Sequence, residues 1–105
     1  MEVKVWTNSR KGAANATFGL GVSIYNRKRF FNALSPTVSI DVDGQIVAKK
    51  LPECFWNNCI HICDQEISEF IKRNGLSSWP HRKPPILILK HISEQNFRLL
   101  IKEEN

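Results

Sequence analysis

The sequence predicts a mainly β fold with two short helices, arranged as a seven-stranded open barrel in a single domain of residues 1–105. Apolar and polar residues alternate over several short segments, which is typical of strands with one buried face. Asp43-Gly44 lies between two such segments and is a strong signal for a tight hairpin turn. Many short strands with few helices favour an antiparallel, barrel-like sheet that protects its edges.

Seven segments are predicted to be strands because their apolar residues alternate or run briefly between turn signals. In chain order they are residues 2–6, 18–24, 38–42, 45–51, 59–63, 85–92 and 96–102. Residues 7–17, between the first two strands, are small and polar and are predicted to form a loop or arm. Gly19 and Gly21 in the second strand permit a bulge or a close approach of another chain segment. The expected core comprises Phe18, Val22, Phe30, Phe31, Val38, Ile40, Ile60, Ile62, Phe70, Ile71, Leu87, Leu89 and Phe97.

Two segments have helical spacing and helical end signals. Asn26 is predicted to cap a short helix over residues 27–34. Asp64 is predicted to cap a second helix, which ends at Asn74-Gly75. The expected apolar stripes are Phe30, Phe31 and Leu34 in the first helix, and Ile67, Phe70 and Ile71 in the second.

The net charge of +5 comes entirely from the first thirty residues. Their basic residues are Lys4, Arg10, Lys11, Arg27, Lys28 and Arg29, against the single acid Glu2. A one-sided positive field favours a polyanionic partner: nucleic acid first, an acidic protein second and an anionic membrane third. No apolar segment approaches the roughly 18 residues of a spanning helix, and the charged N-terminus lacks the apolar region of a signal peptide, so we expect a cytoplasmic protein.

The cysteine pattern does not predict a metal site. Cys59, His61 and Cys63 would share one face of a strand, but Cys59 and Cys63 would then be about 13 Å apart. Ligands of one zinc ion lie about 2.0–2.3 Å from it, so these side chains cannot share an ion without a sharp bend. Without an export signal, reduced thiols are expected, and no cofactor is predicted.

No set of residues predicts catalysis. Metal-dependent nuclease chemistry needs clustered carboxylates near a basic residue. Asp41 and Asp43 have no Glu/Asp-x-Lys partner at a suitable spacing, and no phosphate-binding glycine loop is present. We therefore expect that this chain is not itself an enzyme.

Three stretches of the chain carry a resemblance. In the first, residues 3–34, a strand, a polar arm and a glycine-rich strand lead into a short helix. The second is Phe55-Trp56-Asn57-Asn58, which precedes the fifth strand. The third is the second helix, residues 66–76, which ends in Asn-Gly-Leu. This order resembles the DNA-binding pseudobarrel of the B3-like family, which includes plant transcription-factor B3 domains and the effector-binding domains of EcoRII-like restriction endonucleases. Two features depart from the family pattern. Residues 77–84 stand where a Gly-Asp turn is frequent, and Tyr25-Asn26 stands where a proline is usual.

The resemblance implies binding of double-stranded DNA through two arms in the major groove, with any restriction-endonuclease chemistry in another domain of the parent protein. By position, residues 7–17 would be the N-terminal arm and residues 56–58 the C-terminal arm. Arginine and lysine suit guanine edges, asparagine suits adenine, and cations at a helix start suit phosphates. The implied arm residues are Asn8, Ser9, Arg10, Lys11, Asn15, Thr17, Trp56, Asn57 and Asn58. The phosphate candidates are Arg27, Lys28 and Arg29, followed by Lys49, Lys50, Arg82 and Lys83.

Other interpretations remain open from the residues alone. The same basic face suits an immunity or inhibitor protein that binds an acidic toxin or another acidic protein. Binding to single-stranded nucleic acid or RNA is a third interpretation. Turn chemistry explains each loop asparagine equally well, and Trp6 and Trp79 are expected mainly at the core or its rim.

Overall fold

The computed structural model describes residues 1–7, 17–57, 60–79 and 83–102. It shows a mainly β protein in which a seven-stranded mixed sheet forms an open half-barrel with two helices. The strands are β1 (Glu2–Thr7), β2 (Phe18–Gly21), β3 (Thr37–Val42), β4 (Gln45–Lys50), β5 (His61–Cys63), β6 (Ile86–Ser93) and β7 (Asn96–Ile101). The helices are α1 (Ile24–Phe30) and α2 (Gln65–Arg73), and a 3-10 turn spans Glu53–Trp56. Strands and helices follow one another in the predicted order.

The strands lie side by side in the order β4-β3-β7-β6-β1-β2-β5, which leaves β4 and β5 as the two edges. All neighbouring pairs are antiparallel except β3 and β7, which are parallel. The expectation of a purely antiparallel sheet is therefore wrong. The hairpin of β6 and β7 inserts between β3 and β1, and the long connection through β5 and α2 supplies the crossover that a parallel pair requires.

The core is formed by the inward-facing residues of the sheet together with one face of α2. Phe31 lies among other aromatic rings, stacked on Phe97 at 5.0 Å and edge-on to Phe55 at 5.2 Å between ring centroids. All the predicted core residues are buried except Phe30 and Ile60, which are partly buried and pack against the core. Further buried residues are Val3, Val5, Leu20, Val42, Val47, Leu51, Phe55, Ile67 and Leu99.

The strongest local signals are confirmed. Asp43 and Gly44 both have positive φ values, 52° and 88°, as the two central residues of a type I′ hairpin turn require. Asp64 caps α2 by accepting a hydrogen bond from the Glu66 N–H. The helix ends at Arg73, with Asn74 as its C-cap and Gly75 following at φ 71°.

The predicted bounds of the first helix are wrong. Ser23, rather than Asn26, caps α1, and its hydroxyl accepts a hydrogen bond from the Asn26 N–H at 3.1 Å. The helix ends at Phe30 because Phe31 adopts an extended conformation that carries its ring into the core. Leu34, expected on the buried stripe, is 92% exposed. Across the described ranges, no helix is long and apolar enough to cross a membrane.

Candidate nucleic-acid interface

Both predicted arms are attached to the short strand β2. At one end of β2, Thr7 pairs with Phe18 and donates a hydrogen bond to the Thr17 carbonyl, so both residues that flank the predicted first arm are fixed there. At the other end, the Val22 N–H donates to the Ile60 carbonyl at 2.9 Å and holds the segment that enters β5. Thr17 and Val22 are five positions apart, which corresponds to about 16 Å of extended chain. This length is of the same order as the width of the DNA major groove, roughly 12 Å.

Several predicted contact residues lie outside the described part of the chain. They are Asn8, Ser9, Arg10, Lys11, Asn15, Asn58 and Arg82. Thr17 is described and is half-buried at the root of the first arm. The DNA contacts assigned to all these residues therefore stay predictions from the sequence.

The three cations of α1 do not lie where they were predicted. Because the helix starts at Ile24, Arg27, Lys28 and Arg29 are in its last turn, where the helix dipole favours cations. The expectation that the helix N-terminus would reinforce their charge is wrong. Lys28 is exposed, whereas Arg29 donates a hydrogen bond to the Tyr25 hydroxyl at 2.9 Å.

Arg27 connects α1 to the predicted second arm. Its half-buried guanidinium donates from Nη1 to the carbonyl oxygens of Phe55, at 3.2 Å, and Asn57, at 3.3 Å. A charged donor shared between two carbonyls of a turn restrains that turn. Arg27 is therefore placed to position the second arm.

The second arm combines an anchored ring and an exposed amide. Trp56 is partly buried, and its ring meets the Phe55 ring edge-on at 5.0 Å between centroids. Asn57 is exposed, and among the described residues its side-chain amide makes one long hydrogen bond, 3.5 Å, to the Glu53 carbonyl. Trp56 thus fixes the arm to the core, while the amide of Asn57 remains accessible to a ligand.

The remaining phosphate candidates occupy different environments. Lys50 and Lys83 are exposed. Lys49 is half-buried on edge strand β4, and its charge favours the thiolate of Cys63 on the opposite edge strand, β5. Burial has the larger effect and raises the pKa of the Cys63 thiol. Lys49 therefore lies near the open side of the half-barrel.

The structure brings together a group of residues that the sequence did not connect. On the outer face of the sheet, Lys4 lies opposite Gly21 and Trp6 opposite Gly19. From the other side of β2, His61 lies opposite Gly21. The Trp6 and His61 rings stack across β2, with centroids 4.1 Å apart and an angle of 17° between the planes. We call these five residues the glycine face.

The two glycines of this face have different surroundings. A Cβ atom on Gly19 would lie 2.7 Å from both the Ile62 carbonyl oxygen and Cys63 Sγ, closer than atoms can approach. Among the described residues, a Cβ atom on Gly21 would meet only the Lys4 carbonyl oxygen, at 3.4 Å, which is an ordinary contact. Gly19 is therefore required for close strand packing, whereas the backbone at Gly21 has room for a Cβ atom.

Two cations among the described residues are available to an anion. Glu2, the only acid among the first thirty residues, pairs with Lys102 at 2.8 Å, and this hydrogen bond and charge lower its pKa. Within the described ranges, Lys4 and Lys28 have no carboxylate within ion-pair distance. Their positive charge is thus not compensated by a neighbouring acid.

The two rings of the glycine face, Trp6 and His61, carry polar atoms that are available to a ligand. Burial lowers the pKa of His61, so the neutral imidazole is favoured in the folded protein. Within the described residues, neither the Trp6 indole N–H nor an imidazole nitrogen of His61 has a hydrogen-bond partner. Among the same residues, no three His, Cys, Asp or Glu side chains are grouped closely enough to hold a metal ion.

No protein-family model, curated protein or solved structure matches this chain. The function proposed below follows from the residues and their placement in the fold.

Proposed function

We propose that this protein is a sequence-specific double-stranded DNA-binding module that contacts the major groove through two arms. The observation that carries the proposal is the attachment of the arms at the two ends of β2. Their roots, at Thr17 and Ile60, are about 16 Å apart along an extended strand. Two arms at this spacing can both reach base edges in a major groove about 12 Å wide.

The chemistry of the arms supports reading of bases rather than charge attraction alone. The first arm carries Arg10 and Lys11, which suit guanine O6 and N7, together with two asparagines that suit adenine. The second arm presents the exposed amide of Asn57 and is held by Arg27 and Trp56. A pre-positioned arm loses less conformational entropy on binding, which favours affinity.

Membership of the B3-like family is part of the same proposal. The order of strands and helices and the open half-barrel agree with the fold that the resemblance implies, and this agreement supports the proposal. In this proposal the chain is the recognition domain of a restriction endonuclease, and the catalytic groups belong to another domain.

A duplex gel-shift assay in about 0.1 M salt, with random and selected sequences, tests the proposal. We expect a shift that is strongest with the selected sequences and that weakens with salt, log K falling by about 0.9 for each phosphate neutralised. Absence of a shift at micromolar protein concentration would overturn the proposal. Tighter binding to an unpaired competitor would instead indicate a single-strand or RNA-binding protein.

A further inference from the structure

The glycine face lies between the roots of the two arms, on the outer surface of the sheet. Lys4 and Trp6 precede the first arm directly on β1, and His61 follows the second arm on β5. A duplex held by both arms would therefore have this face beneath it. The inference that follows rests on the proposed function.

The shape of this face suits close approach of a bulky, flat-sided partner. Neither Gly19 nor Gly21 places a side chain on the outer surface of β2. Among the described residues outside the immediate chain neighbours, the Lys4 carbonyl oxygen is the one atom within 4 Å of a Cβ position at Gly21. We call the space above Gly21 that its missing side chain leaves the depression; Lys4 and His61 flank it, because both lie opposite Gly21.

The chemistry of the same face suits a sugar–phosphate backbone. The Lys4 ammonium has no carboxylate partner among the described residues and can bind a phosphate oxygen. The indole N–H of Trp6 is a donor, and one imidazole nitrogen of His61 carries a proton even in the neutral ring. The stacked rings add apolar surface against which a deoxyribose can pack.

We propose that the depression above Gly21, bounded by Lys4 and the Trp6–His61 stack, binds the sugar–phosphate backbone of the DNA duplex between the two arms. A nucleic acid is favoured over an acidic protein because the face combines a cation with stacked aromatic rings beside Gly21, which has no side chain. These groups recognise phosphate and sugar and do not read bases, so the face contributes affinity without sequence preference.

A charge-matched pair of variants tests the role of Lys4. Lys4→Ala and Lys90→Ala each remove one exposed lysine from the outer surface of the sheet, but Lys90 lies on β6, away from the depression. We expect Lys4→Ala to bind every duplex about tenfold more weakly and to lower the salt slope by about 0.9. Lys90→Ala should keep the wild-type slope. Equal slopes for the two variants would overturn the inference.

A second variant closes the depression without removing a charge. Gly21→Val adds a β-branched side chain that suits a strand, and its Cβ has an ordinary contact distance to Lys4. We expect an unchanged circular-dichroism spectrum and at least tenfold weaker duplex binding. Wild-type affinity in a folded Gly21→Val variant would contradict a backbone contact at this depression.

Fluorescence reports directly on the stacked rings. In a Trp79→Phe background, Trp6 and Trp56 are the remaining tryptophans, and comparison with a Trp6→Phe/Trp79→Phe variant isolates the emission of Trp6. Addition of duplex DNA should change its emission, and a His61→Phe substitution should preserve stacking while weakening binding.

If wild-type protein binds no duplex, the proposed function fails and this inference fails with it. If wild-type protein binds duplex but Trp6 emission and the Lys4→Ala and Gly21→Val affinities are unaffected, only this inference fails.

Discussion

The Arg27 guanidinium donates a hydrogen bond from Nη1 to the Asn57 carbonyl oxygen at 3.3 Å and so joins α1 to a segment thirty residues later in the chain. The same nitrogen donates to the Phe55 carbonyl. The sequence indicated a role for Arg27 as one of three equivalent phosphate contacts. In the structure Arg27 and Lys28 are neighbours with different environments, one half-buried and hydrogen-bonded and the other exposed.

Arg27→Ala is expected to destabilise the protein by about 1–2 kcal/mol, because two turn carbonyls lose a charged donor. Lys28→Ala is expected to change stability by less than about 0.5 kcal/mol. Urea unfolding of both variants measures the difference. Equal free energies of unfolding would show that the hydrogen bonds of Arg27 do not restrain the second arm.

Gly19→Ala is expected to destabilise the fold by about 2–4 kcal/mol, since its Cβ would collide with the Ile62 carbonyl oxygen and Cys63 Sγ. Gly21→Ala should remain within about 1 kcal/mol of wild type, because its Cβ makes only an ordinary contact and alanine loses less backbone entropy on folding. Thermal and urea unfolding provide the comparison. A tolerated Gly19→Ala would contradict the close packing of β2 against β5.

Ser68→Ala is expected to cost about 1–3 kcal/mol, because the buried Ser68 hydroxyl accepts the Phe18 N–H hydrogen bond at 3.1 Å and its loss leaves that N–H without a partner. Ser77→Ala, at an exposed position, serves as the control. Since Phe18 follows the root of the first arm, amide hydrogen exchange at Phe18 should also accelerate in the Ser68 variant. Unchanged exchange at this amide would argue against the hydrogen bond.

Stability should depend on pH through His61. Burial lowers its pKa in the folded state below the ordinary value of 6.5, so the unfolded state binds a proton more readily. Stability is therefore fully present above pH 6.5 and falls as the pH decreases through the folded pKa. His61→Phe keeps a ring against Trp6 and removes this titration. The melting temperature of wild type relative to His61→Phe should decline on acidification; parallel curves would refute the burial effect.

Arg10→Ala should relax sequence preference, since loss of one bidentate base contact costs about 1–3 kcal/mol of discrimination. Lys28→Ala should weaken binding to all duplexes equally and reduce the salt slope by about 1, as expected for a phosphate contact. Selection from a randomised duplex pool, followed by affinity measurements at several salt concentrations, distinguishes the two effects. An Arg10 variant with unchanged preference would show that the first arm does not read bases at that residue.

Local signals in the sequence predicted much of the fold. The Asp43-Gly44 turn and the caps of α2 depend on residues within a few positions of each other, and the structure agrees with them. The first helix was misplaced because its end is set by Phe31, whose ring is drawn towards Phe97, sixty-six residues further along. No local pattern near Asn26 or Leu34 contains that information.

The sequence by itself determined the number, type and order of the strands and helices, and it located the excess positive charge in the first thirty residues. Only the tertiary structure decided that Trp6 and His61 meet across Gly19 and Gly21, and that Arg27 supports the second arm. The reason is physical: periodicity and capping are short-range effects, whereas strand pairing is selected by burial of the whole core. Residues fifty-five positions apart become neighbours only through that selection.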